Sequence, residues 1–110
     1  MPITTDLTAA VSLFHSLADP SRLSILRRLA EGEARVRDLT DDLELAQSTV
    51  SEHVACLRDC GLIEARSEGR QNFYSVSMSE VIDVLASAER LLAVTGFKVD
   101  LCSNYGRGAR

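Results

Sequence analysis

The 110-residue sequence predicts a mainly α fold with one small β-hairpin, arranged as a winged helix-turn-helix. Three observations carry this expectation. Apolar residues recur at helical spacing along most of the chain. Two of the segments they mark are short and joined by only a few residues, which is the pattern of a helix-turn-helix. Between the second of these and the last helix, the period changes to that of two short strands around a glycine.

The first helix is expected within residues 5–17, where Leu7, Ala10, Val11, Phe14 and Leu17 line one face. "ADPSRLSILRRLAEG" follows. Asp19 is placed to cap a second helix, and Pro20 sits at its first position, where the missing N–H costs nothing. Leu23, Ile25, Leu26 and Leu29 give that helix a wide buried face, and Gly32 lies past its end. A short third helix, 35–43, points Val36, Leu39 and Leu43 inward. After "ELAQ" a fourth, 47–60, buries Val50, Val54 and Leu57 and stops at Gly61 in a left-handed cap. Strand-like runs at 62–66 and 72–76 flank "SEGRQ", with Gly69 at the hairpin tip. Ser77 or Ser79 is expected to cap a last helix, whose stripe Val81, Val84, Leu85, Ala88, Leu91, Leu92 and Thr95 ends at Gly96.

The first and last helices carry more apolar surface than a thin domain covers alone. A homodimer packed through them is the expected solution. Residues 1–96 then form the DNA-binding and dimerisation domain, and 97–110 form a tail without clear periodicity. No apolar run approaches the roughly 18 residues needed to span a bilayer, and "MPITTDLTAA" lacks the pattern of a secretory signal, so a cytoplasmic protein is expected. A net charge of −4 argues against coating of nucleic acid by the whole surface, while leaving room for a local basic one.

In a helix-turn-helix the start of the second helix meets base edges. Here that segment is "QSTVSEH". Gln47 can pair with adenine, and Ser48, Thr49 and Ser51 can contact bases or phosphates. His53 is either a phosphate contact or a partly buried structural residue. Glu52 could read cytosine or reduce non-specific binding. Arg70 and Gln71 at the wing tip are natural contacts to double-stranded operator DNA, with Arg66 and Arg22 as weaker ones. Ala46 stands before Gln47 and offers no side-chain cap, a loss of about 1 kcal/mol.

The segments "LADPSRLSILRRL", "LAQSTVSEHVACLRDCGLI" and "EGRQNFYSV", in that order, resemble the ArsR/SmtB family of bacterial metal-responsive repressors over residues 5–95. The resemblance implies a dimeric repressor that binds its operator without metal and lets go when metal binds. "EARVRDLT" lacks the Cys-x-Cys pair that one subgroup carries, and residues 79–95 lack the histidines of another. Cys56 and Cys60, with Cys102 in the tail, match the CmtR-type cadmium/lead sensors.

Chemistry is consistent with that match. Four helical residues advance about 400° and 6 Å, so Cys56 and Cys60 share a face one turn apart. Cys102 lies six residues beyond Gly96, a reach of at most roughly 20 Å, enough to fold back within its own subunit or onto a partner. Three thiolates favour soft ions: Cd(II) and Pb(II) fit best, Zn(II) would want a fourth ligand, and As(III) would accept three sulfurs. Against this stands the plain reading of Cys56 as a small buried hydrophobe. A catalytic thiol is disfavoured because a helix C-terminus raises a thiol pKa, so no enzyme is expected. Two alternatives stay open: an arsenite- or thiol-redox-sensing repressor on this scaffold, and a winged-helix protein-interaction module without DNA binding.

Overall fold

The computed structural model describes residues 6–96. Its elements run α1 (Thr8–Leu17), α2 (Pro20–Leu29), α3 (Val36–Leu43), α4 (Gln47–Asp59), β1 (Ile63–Glu68), β2 (Gln71–Val76) and α5 (Ser79–Val94). This is the expected winged helix-turn-helix. Among the described residues no helix is long and apolar enough to cross a membrane.

The helix starts show which local signals hold. Asp19 caps α2 as expected, its carboxylate accepting from the Arg22 backbone N–H at 3.0 Å, with Pro20 next. Ala46 leaves α4 without a side-chain cap. The serine cap expected for α5 is not formed. Met78 occupies the N-cap, because Ser77 spends its hydroxyl on the Gly61 carbonyl at 2.7 Å and Ser79 is already helical.

The helix ends are equally specific. α4 stops in a Schellman arrangement: Leu62 N–H bonds Leu57 O at 3.0 Å, and Gly61 N–H bonds Arg58 O at 2.9 Å. Gly61 supplies the φ of +78° that this requires. Glu44, after α3, takes φ +55° with a side chain in place, a conformation costing a non-glycine residue about 1–2 kcal/mol.

The core lies between α2, α3, α4, the base of the wing and α5. Ile25, Leu26, Leu39, Val50 and Leu57 are fully buried there with Leu85 at their edge, each contributing on the order of 1.5–3 kcal/mol. The strands are longer than the sequence suggested and pair antiparallel from Ile63↔Val76 to Glu68↔Gln71, leaving only Gly69 and Arg70 as the turn. Ladder hydrogen bonds carry the pairing past the last β-prone residues. A bridge from Ala34 to Tyr74, with bonds of 3.0 and 2.8 Å, fastens the wing to the chain just before α3.

α1 and α5 leave an apolar face outside this core. Phe14 is 64% and Leu91 65% exposed, with Leu7, Val11, Val84 and Val94 also open. A shallow groove lined by Leu13, Leu17, Leu62, Met78, Val81 and Val84 runs alongside them.

Candidate functional site

α4 carries two sets of side chains at its two ends. Val50, Val54 and Leu57 anchor one face in the core, which turns the opposite face of the first turns outward. Gln47, Ser48 and Ser51 are exposed there with Glu52, and Thr49 is half-buried. Arg70 stands exposed at the wing tip. Gln71 is also exposed, and its Oε1 accepts from Arg35 Nη1 at 3.2 Å.

His53 is held inward. Its Nδ1 is 3.4 Å from Arg22 Nη1 and its Nε2 is 3.7 Å from Asp19 Oδ2. Both neighbours lie on or beside the start of α2, so the ring packs in the helix–helix contact while staying partly exposed. The two weaker arginines are also committed elsewhere. Arg22 donates through Nε to Ser16 O and through Nη2 to His15 O, closing the end of α1. Arg66 bridges Glu33 and Glu68 and lies 4.8 Å from the centre of the Phe73 ring, so its charge is balanced where the wing meets the segment before α3.

Sequence reasoning missed Arg35. It links the start of α3 to the wing by pairing with Asp38, reaching Gln71 and lying 5.8 Å from the Phe73 ring centre. A signal was present: an acid three residues after the N-cap, whose carboxylate accepts the Arg35 N–H at 3.0 Å, is half of a capping box.

The thiols sit at the other end of α4. Cys56 is half-buried and Cys60, the C-cap residue, is exposed, with Cys60 N–H bonded to Cys56 O at 3.1 Å. Their side chains are neighbours. Burial pushes the Cys56 thiol above its ordinary value, and the adjacent Cys60 pushes it further; Arg22 opposes them. Cys56 is therefore a protonated thiol at neutral pH, and an incoming ion must displace that proton. Cys60 Sγ is also 2.9 Å from the hydroxyl of Ser16 in α1, a contact that no spacing in the sequence announced.

Two neighbouring sulfurs open to solvent on the Cys60 side suit a soft ion and are too few to complete its shell. Among the described residues no three His, Cys, Asp or Glu side chains gather around a common point. Cys102, the expected third ligand, lies outside the described residues.

Comparison with known proteins agrees with this architecture. The family model described as "Bacterial regulatory protein, arsR family" matches residues 19–65. A probable mercury resistance operon repressor of Streptomyces lividans is 36% identical over 90 residues, covering 82% of this chain and 72% of that protein. The transcriptional regulator CmtR of Mycobacterium tuberculosis is 41% identical over 78 residues, covering 71% of this chain and 66% of its own. The solution structure of a homodimeric winged helix-turn-helix DNA-binding domain from Mycobacterium bovis superposes with a TM-score of 0.74 at 28% identity, over 84% of this chain and 91% of that one. With such relatives spanning most of both chains, this protein belongs to the arsR family of bacterial regulatory proteins.

Proposed function

We propose that the protein is a cytoplasmic transcriptional repressor that grips operator DNA as a homodimer and releases it when a soft ion, Cd(II) or Pb(II), joins Cys56, Cys60 and Cys102. One observation carries the reading: the thiol pair and the outward-facing Gln47, Ser48 and Ser51 share a single helix. Cys56 lies nine positions after Gln47, about 13 Å along a rigid rod. A pull on the cysteine end therefore moves the reading end. The printed names of the relatives lend support, since one is a mercury resistance operon repressor and another is CmtR.

The exposed α1–α5 face favours a homodimer, as in the Mycobacterium bovis neighbour. Two copies would present their α4 helices to half-sites about 34 Å apart, one turn of DNA. Gln47, Ser48, Thr49 and Ser51 then face bases or phosphates, Arg70 and Gln71 reach the flanking backbone, and His53 supports α4 from within. Drawing Cys102 onto Cys56 and Cys60 disturbs that spacing. A coupling of about 1–3 kcal/mol between ion and DNA is the usual size for such a device.

The test is a mobility shift on the DNA upstream of the coding sequence, with cadmium, lead, zinc and arsenite added in turn. The ultraviolet thiolate-to-metal band is followed in parallel. Release by cadmium or lead with three-sulfur absorbance is the expected result. Release that survives unchanged in Cys102→Ser rules out the three-cysteine site, and no shift at all selects a protein-interaction module.

Contact between Cys56 and Cys60 also supports a second reading, a thiol-redox sensor. In it, peroxide takes two electrons and two protons from the pair, leaving a disulfide and two waters. Mass spectrometry after peroxide treatment distinguishes the two readings.

A further inference from the structure

The thiol of Cys60 has a partner that metal binding would disturb. Ser16, near the end of α1, is 4% exposed. Its Oγ donates to the Ser12 carbonyl at 2.9 Å and lies 2.9 Å from Cys60 Sγ. Its own carbonyl accepts from Arg22 Nε. A hydroxyl has one proton, and this one is engaged with Ser12, so the contact with Cys60 is completed by the S–H donating to Oγ. The resulting chain runs Cys60 S–H to Ser16 O–H to the Ser12 carbonyl. It joins the end of α4 to the body of α1.

We propose that Ser16 is the positioning residue through which ligation at Cys60 acts on α1 and on the apolar face it shares with α5. This rests on the metal-responsive reading above and adds the route by which the site reaches the dimer helices. A cysteine ligates as thiolate, so an ion held by Cys60 would take the place of its S–H proton, which would leave to water. The sulfur is thereafter an acceptor only. Ser16 then has one proton for two acceptors, the Ser12 carbonyl and a charged sulfur, and bonds to a charged acceptor are roughly twice as strong. The hydroxyl turns to Cys60, and the Ser12 carbonyl loses its side-chain bond.

The consequence for α1 is mechanical. A serine hydroxyl bonded back to the carbonyl four residues earlier bends a helix. Releasing that bond straightens α1 between Ser12 and Ser16, the stretch that carries Phe14 on its open face.

The experiment uses the full chain and cadmium alone as probe. Ser16→Ala is expected to keep the thiolate-to-cadmium band at wild-type stoichiometry and to keep metal-free operator affinity within about twofold. The drop in operator affinity on adding cadmium should shrink by about tenfold, and Ser16→Thr, which keeps the hydroxyl, should restore most of it. Hydrogen exchange on the wild-type protein gives a measurement independent of any variant: amide protection within residues 12–17 should change when cadmium is added. Full cadmium release in Ser16→Ala, or unchanged protection in α1, overturns the proposal while the metal reading stands. Absence of the band in the wild-type protein overturns both.

Discussion

The guanidinium of Arg22 and the imidazole of His53 meet across the contact between α2 and α4, with Nη1 3.4 Å from Nδ1. The same guanidinium donates to the carbonyls of His15 and Ser16. One side chain thus ties the end of α1, the start of α2 and the middle of the recognition helix. Arg22→Ala leaves those carbonyls without their donor and is expected to cost about 1–3 kcal/mol in urea unfolding. It should not change the salt dependence of DNA binding, because Arg22 faces inward. Arg70→Ala should do the opposite: unaltered stability, and a salt slope reduced by about one. If the two variants exchange these signatures, the assignment of the arginines is wrong.

Gly61 and Glu44 form a pair of opposites. Gly61 holds φ +78° with open space where a Cβ would stand, so Gly61→Ala meets backbone strain without a clash. A loss of about 1–2 kcal/mol is expected. Glu44 already bears that strain at φ +55°, and Glu44→Gly is expected to raise stability by up to about 1 kcal/mol. Thermal unfolding of both variants provides the check. A stabilised Gly61→Ala would contradict the left-handed cap.

Asp38 is the acid-sensitive element of the turn region. Side-chain bonds from Arg35, and after them the Arg35 backbone N–H, hold its pKa down at about 2 from the ordinary 3.8. A depressed carboxylate contributes stability that is complete above its unfolded value and disappears as pH falls through the folded one. Unfolding midpoints of wild type and Asp38→Asn should therefore converge near pH 2 and separate above about 4. Parallel profiles across that window would remove Asp38 from the account.

Phe14 and Leu91 lie on the open face of α1 and α5. In the proposed dimer each would be covered, so Phe14→Glu or Leu91→Glu should shift the protein from dimer to monomer in sedimentation. Operator affinity should fall by more than tenfold, since each half-site is gripped alone. A variant that stays dimeric places the interface on another surface.

The candidate site was legible wherever its geometry is local. Cys56 and Cys60 share a face because of helical pitch, and Gln47 and Ser48 face outward because Val50, Val54 and Leu57 face inward. The inward turn of His53 was left as one of two options, since its partners Asp19 and Arg22 lie on another element. Arg66 looked available for DNA for the same reason: Glu33, which neutralises it, is 33 positions away.

By itself the sequence determined the order of elements and most of their ends. These depend on residues within about five positions of one another: Asp19 with the Arg22 N–H, Gly61 with Arg58, Gly69 between its two strands. Tertiary structure alone decided which distant side chains became partners. Ser77 abandoned the α5 cap for Gly61, 16 positions back, and Ser16 met Cys60 from 44 positions away. Apolar periodicity establishes which face of a helix is buried, but not how far each helix is rotated and shifted against its neighbour. A hydrogen bond with a reach of only about 3 Å is chosen by that rotation and shift.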